Sequence, residues 1–238
     1  MILIFSPLPA LIAKKKEFKV VIDSWPPFRM IEKEPYSGID FDVWRELAKR
    51  LNLKLIFYKY PWARCLISMK EGTVDGMIGL AKRPEREKYM YYTDTPYYTC
   101  TTVFYVLKGK SNSIQKYEDL YKYNIGLVKD SAYFNRFDND LKIRKYPVVK
   151  ELQLLQMLAN DRLGAFIGTD CQADYQIIQE DYKDIIEKAT YKPGNDVSLY
   201  MAISQQSIYA TELPLFNETI KKIVEEGKVK EFAKKYYE

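Results

Sequence analysis

Arg86 closes a charged turn, Arg83-Pro84-Glu85-Arg86, between the apolar run Gly76 to Gly79 and a segment that ends at Thr95-Pro96-Tyr97. If both flanks are strands, the turn fixes a guanidinium at the lip of a sheet. A guanidinium grips a carboxylate with two parallel hydrogen bonds, which an ammonium cannot do. The competing use is a surface ion pair with Glu85 or Glu87. The clamp is preferred because α/β sheets bind ligands at the carboxyl ends of their strands. Gly79 and Ala81, just before the turn, are small enough for a ligand to approach their backbone.

Aromatic side chains supply candidate walls. Trp25 and Phe28 sit in a proline-stiffened loop, Asp23 to Arg29, directly after an apolar strand pattern. A stiff loop in that place presents side chains to a cleft, and Trp25 is read as a wall. Trp62 follows Pro61 at the start of a helix pattern. Its indole face would hold a flat or cationic group, although a core tryptophan would occupy the same position. Ser131 is expected to open a helix, whose N-terminus would stabilise an anion or be capped by Ser131 itself.

Covalent and metal chemistry find little support. There is no histidine, which removes the commonest general base and metal ligand. Cys65, Cys100 and Cys171 are far apart and fit no metal spacing. They read as buried small hydrophobes, or as one pair and a spare. Glu151, at the head of a helix pattern, reads as a surface residue. No cofactor is expected.

The elements that position these groups alternate. Strand patterns cover 18–22, 54–58, 76–79, 101–107, 125–128, 142–145, 165–167, 185–191 and 199–203. Helix patterns cover 41–51 with Asp40 as N-cap, 62–71 ended by Gly72, 149–159, 171–179, 212–226 and 229–237. Alternation with short links implies a mostly parallel sheet covered on both faces. The long β-branched runs near 101–107 and 199–203 flank the middle unit, so the chain is expected to cross into a second lobe and return. Such a pair of crossings makes a hinge and leaves a ligand cleft between the lobes. The expected boundaries are 17–105 with 198–238 for one lobe and 106–197 for the other. A single sheet of about ten strands is the alternative.

The chain has 238 residues, 47% hydrophobic, with 21 tyrosines and a net charge of +5. That length can bury one large core or two smaller ones, and tyrosine suits ligand clefts. The lysines are scattered among acids, so nucleic acid is not an expected partner. Residues 1–13, MILIFSPLPALIA, run into three lysines. They are too short to span a bilayer and read as part of a secretory signal, which makes 1–16 an expected leader; a disordered or edge-packed N-terminus is the other reading.

Several motifs in one order resemble the periplasmic solute-binding proteins of the polar amino-acid transport class, family 3. They are Trp25-Pro26-Pro27-Phe28, Gly38-Ile39-Asp40-Phe41-Asp42, and Glu71-Gly72-Thr73-Val74-Asp75. The block Asp75 to Tyr98 follows, then Ile125 to Val128 with Ser131-Ala132-Tyr133, Arg162-Leu163-Gly164-Ala165, and Tyr200 to Ser204. The resemblance covers nearly all of 17–238. It implies a two-lobed α/β fold of the type II periplasmic-binding-protein kind, with two mixed sheets joined by a two-strand hinge. It also implies a monomer without enzymatic activity, secreted beyond the cytoplasmic membrane, that passes a small polar amino acid or related carboxylate to an ABC transporter permease. By the same resemblance Arg86 grips the α-carboxylate and Trp62 sandwiches the solute. Asp170 holds the α-ammonium, with Thr169 as its substitute. Asp23 meets a basic side chain. Arg64, in a Pro-Trp-Ala-Arg run, adds positive charge for a second acidic group. Arg83 stands where the family carries threonine, and Gly164 where it carries aspartate. An enzyme on the same fold, dehydratase-like or cell-wall lytic, and a ligand-sensing partner of a signalling protein are the alternatives.

Overall fold

The computed structural model describes residues 16–194 and 196–237. The expected leader, apart from Lys16, lies outside the described residues. Strand β1 (Lys16–Ile22) pairs in parallel with β2 (Leu53–Lys59) along its length and with β3 (Gly76–Leu80). Helix α1 (Ile39–Leu51) links β1 to β2, and α2 (Trp62–Glu71) links β2 to β3. Gly72 ends α2 in the left-handed conformation with its N–H returned to Met69 and Ser68 carbonyls, as its position after the last helical residue predicts.

After β3 a single turn, α3 (Pro84–Glu87), leads to β4 (Met90–Tyr92) and to the long β5 (Tyr98–Leu107). The first residues of β5 pair antiparallel with β10 (Asp196–Ser204), Thr101 facing Asp196. From Thr102 onward β5 pairs instead with β8 (Ala165–Thr169) and β9 (Ile186–Lys188). Beyond β8 lie β6 (Asn124–Val128) and β7 (Arg144–Val148), both parallel to their neighbours. A short α4 (Asn135–Asn139), α5 (Glu151–Ala159) and α6 (Asp170–Gln179) belong to this half. β10 returns to pair with β3 and β4, and α7 (Leu213–Glu225) and α8 (Lys228–Tyr237) follow. The strand path is continuous, β2-β1-β3-β10-β5-β8-β6-β7. Among the described residues, β5 and β10 are the strands that join its two ends.

Packing divides as the pairing does. Phe18, Val20 and Ile22 of β1 point to a core shared with Phe41, Trp44, Phe216 and Ile220, while Val21 meets Cys65, Met69 and Met77 on the other face. In the other half, Phe104 packs with Ile125, Phe137 and Ile167, and Tyr105 with Leu154, Leu155 and Phe166. This is the period-two alternation of strands covered on both faces. Each large side chain so buried contributes about 1.5–3 kcal/mol. The result is a two-lobed mixed α/β fold.

Local expectations needed correction. Asp40 is not an N-cap; Gly38 holds that place, and Asp40 is buried in the first turn of α1. Ser131 opens no helix: α4 begins at Asn135. Glu151 does begin α5, but it is buried rather than exposed. Cys100 and Cys171 form a disulfide that ties β5 to α6, and Cys65 is the buried spare. Asp170 lies beside that disulfide, but both sulfurs are committed to each other, so the cluster offers no metal site. Among the described residues no helix is long and apolar enough to cross a membrane.

Candidate functional site

A cavity of about 580 Å³ opens where the carboxyl ends of β1 and β3 face β6, β8 and the start of α5. From the first half it takes Asp23, Trp25, Trp62, Gly79, Ala81 and Arg86; from the second it takes Ser131 and Thr169. Arg64 and Asp170 lie outside it. Arg64 stands on the exposed face of α2, 3.8 Å from Glu71, as a solvated helix arginine. Asp170 is the first residue of α6 and accepts the Thr101 backbone N–H at 2.8 Å. Asp170 follows β8 directly with its carboxylate turned to the Thr101 amide, and Thr169 borders the cavity in its place.

Arg86 is buried, with 5% exposure. The one-turn helix α3, started by Pro84, carries it back over the end of β3. Its Nη1 donates to the Ala81 carbonyl at 3.2 Å and its Nη2 to the Asp130 carbonyl at 2.8 Å. The Trp62 ring centre is 5.4 Å from its guanidinium carbon, and Trp62 Nε1 donates to the same Asp130 carbonyl at 3.3 Å. Among the described residues no carboxylate pairs with Arg86. The surface ion pair with Glu85 does exist, but Arg83 makes it, at 3.2 Å.

Arg29, which sequence reasoning passed over, also borders the cavity. Trp25 and Arg29 exchange backbone hydrogen bonds of 2.9 and 2.8 Å, so the Pro26-Pro27 loop doubles back and aims Arg29 inward. Arg29 is paired with Asp23 at 2.8 Å and with Asp40, and it donates to the Ile78 carbonyl at 3.0 Å. Tyr97 Oη donates to the other Asp40 oxygen at 2.6 Å. Burial raises both carboxyls against the pull of Arg29. Burial also opposes charge on Arg29, but Asp23 and Asp40 outweigh it and hold the guanidinium above its ordinary value. The two flanking acids in sequence, Asp23 and Asp40, were the available signal. Gly79 owes its identity to this cluster. Its φ is +83°, and a Cβ there would lie 2.8 Å from Asp40 Oδ2 and overlap Arg29 Nη1.

Glu151 is the other residue the sequence misplaced. It borders the cavity with 7% exposure, and its Oε1 has no hydrogen-bond partner. Burial with nothing to offset it pushes its carboxyl up to about 8. By contrast Cys65, the one free thiol among the described residues, is pushed up to about 12, chiefly by burial. It stays protonated and a poor nucleophile.

Contacts between the halves flank the cavity. Trp25 Nε1 donates to Gln172 Oε1 of α6, and Arg83 pairs with Asp138 of α4 at 3.0 Å. With the Arg86 and Trp62 bonds to Asp130, they hold the walls together on both sides. The arrangement can enclose a small solute against two tryptophans, a guanidinium and a carboxyl.

A mixed two-lobed fold around such a cavity is the architecture of the type II periplasmic-binding-protein class. Residues 18–238 match the model of the bacterial extracellular solute-binding proteins, family 3, and the chain belongs to that family. It is 21% identical over 216 residues to the L-cystine-binding protein TcyA of Bacillus subtilis (strain 168), covering 90% of this chain and 78% of that protein. Among solved structures it resembles the amino acid ABC transporter substrate-binding protein AbpA from Streptococcus pneumoniae Canada MDR_19A, bound to L-arginine. The TM-score there is 0.78 at 21% identity, over 92% of this chain and 94% of that one. A histidine kinase sensor domain with similarity to periplasmic binding proteins shares the fold at a TM-score of 0.80 and 16% identity, over 94% and 97%.

Proposed function

We propose that this protein captures a small polar amino acid, or a related carboxylate, between its lobes and delivers it to an ABC transporter. It would work as a monomer outside the cytoplasm, in the periplasm, after export by an N-terminal signal. The lobes would be 17–105 with 198–238, and 106–197, hinged on β5 and β10. Binding would need no chemistry: closure buries the solute, and the closed shape is what a permease recognises. The observation that carries the reading is Arg86. It is a buried guanidinium at a cavity wall, its described partners are neutral carbonyls, and a ligand carboxylate would supply the missing anion. Asp23 is already matched by Arg29 and is a poorer partner for a basic side chain than its sequence position implies.

A thermal-shift panel of amino acids and small carboxylates tests this. A true solute raises the melting temperature progressively with concentration, by mass action. The Arg86→Ala variant should lose that response; a full response in the variant would remove Arg86 from the site. The family consists mainly of non-enzymatic binders. An enzymatic reading has one observation in its favour, the raised pKa of Glu151, which suits a proton donor. Proton NMR of each stabilising compound incubated with the protein separates the two readings, since a binder returns its solute unchanged.

A further inference from the structure

Among the described residues the cavity wall carries three acidic side chains, Asp23, Glu32 and Glu151. Asp23 is neutralised by Arg29. Glu32 is exposed and accepts a hydrogen bond from Ser24 Oγ at 2.8 Å. Glu151 alone of the three is buried with no described partner for its charge. It enters from the lobe opposite Arg86, at the first residue of α5, and it lies close to Gly168 of β8, whose Cβ, if present, would sit 3.0 Å from Glu151 Oε1. A buried carboxyl without a partner costs free energy that a suitably placed ligand can return. Asp170, the residue expected to hold an ammonium, is outside the cavity and bonded to a backbone amide.

We propose that Glu151 is the cation subsite of this cavity, receiving the primary ammonium of the bound solute and releasing its own proton as it does so; the inference rests on the binding-protein reading above. The exchange balances. The neutral carboxyl and the ammonium form a carboxylate–ammonium pair, and one proton passes to the buffer. The solute is then an amino acid spanning the cleft, its carboxylate on Arg86 in one lobe and its ammonium on Glu151 in the other. Each end would hold one lobe, so the complete zwitterion, and neither half of it, would draw the cavity shut.

The surroundings of Glu151 fit this exchange. The titratable groups that face it from packed elements are Tyr133, in the loop after β6, and Tyr105, in β5. Asp170 and Asp174 of α6 act on Tyr105, and Lys150 precedes Glu151 on its own element. Both tyrosines are held above their ordinary values, first by burial, so they stay neutral near pH 7. None of these groups supplies Glu151 with a cation, and burial accounts for its displacement. Below pH 8 the empty site is protonated, and ammonium binding must expel that proton. Affinity therefore falls as pH drops below 8 and levels off above it.

Isothermal titration calorimetry of the full chain tests the proposal. The probes are the twenty common L-amino acids and L-cystine, each binder compared with its deaminated acid. Wild-type protein should bind an amino acid about tenfold more tightly at pH 7 than at pH 6. Close to one proton should be released per amino acid, read from the dependence of the binding enthalpy on the buffer's ionisation enthalpy. The deaminated acid should release none. Glu151→Gln should bind the amino acid at least about tenfold more weakly at pH 8 and release no proton. Glu151→Asp, which keeps the carboxyl should the amide variant fold poorly, should retain proton release. Binding by wild type with no proton released, or undiminished binding by a folded Glu151→Gln variant, would overturn the subsite while leaving the binding function intact. Failure of every probe to bind wild type at any of these pH values would overturn the amino-acid reading and the subsite together.

Discussion

Two buried arginines border the same cavity, and they are provided for in opposite ways. Arg29, from the loop after β1, has two carboxylates, Asp23 and Asp40, a tyrosine behind them and a backbone carbonyl. Arg86, from the turn after β3, has carbonyls and a tryptophan ring. A charge satisfied from within the fold has little left to offer a guest. A charge left against neutral dipoles in a cavity is held ready for one. Glu151 stands to Asp40 as Arg86 stands to Arg29: two buried acids, one with its cation in place and one without. The site is therefore recognised less by the presence of charged groups than by which of them lack counterparts.

The largest expected effect falls on the satisfied cluster. Removing Arg29 leaves Asp23 and Asp40 buried together without their cation. Arg29→Ala should destabilise the unliganded protein by about 3–5 kcal/mol, read from urea denaturation near neutral pH. A change below about 1 kcal/mol would mean that water or rearrangement compensates those acids, and the contrast between the two arginines would lose its basis.

Next comes a gain. Glu151 is shifted upward on folding, so the folded state retains a proton that the unfolded chain has lost between the ordinary carboxyl range and about pH 8. Its contribution to stability therefore falls as pH rises through that interval, and the full penalty stands above it. Glu151→Gln removes the penalty. The variant should be more stable than wild type by up to about 5 kcal/mol at pH 9, and the gain should shrink toward nothing at pH 4. Parallel stability curves for the two proteins from pH 4 to 9 would show that Glu151 finds a counterpart after all.

The sequence was informative wherever local pattern decides structure. Helix α2 runs from Trp62 to Glu71 and stops at Gly72 because the spacing of its apolar residues and a glycine needing positive φ are both local facts. Strands β1 and β5 were legible for the same reason, from an apolar run and a long β-branched run. Arg86 and Trp25 could be placed at the cavity because strand ends and stiff loops announce themselves, whereas Trp62 and Thr169 were pointed to by the family resemblance. Burial by a distant segment does not. Glu151 follows Lys150 and reads as the wet end of a helix, until β8 and the loop after β6 cover it. Asp40 looks like a cap because nothing nearby shows that Arg29 will turn back onto it. A single residue of spacing put Thr169 on the cavity and Asp170 behind it, a distinction finer than motif matching resolves.

The smallest expected effect on stability separates the arginines most directly. Arg86→Ala takes one hydrogen bond from each of the Ala81 and Asp130 carbonyls, but it also removes a buried guanidinium that no carboxylate compensates. The lost bonds and the relieved burial of charge oppose each other, and both carbonyls face a cavity that water can enter. The unliganded variant should therefore lie within about 1 kcal/mol of wild type by urea denaturation, far from the Arg29→Ala result. Arg86→Lys sharpens the point. It keeps the positive charge and can still reach a carbonyl, so the empty protein should be as stable as wild type. An ammonium cannot present two parallel donors to a carboxylate, so the solute-induced rise in melting temperature should remain well below that of wild type. A lysine variant with the full response would show that the site asks only for charge; an alanine variant as damaged as Arg29→Ala would make Arg86 a brace between the halves, and the two arginines would no longer differ in kind.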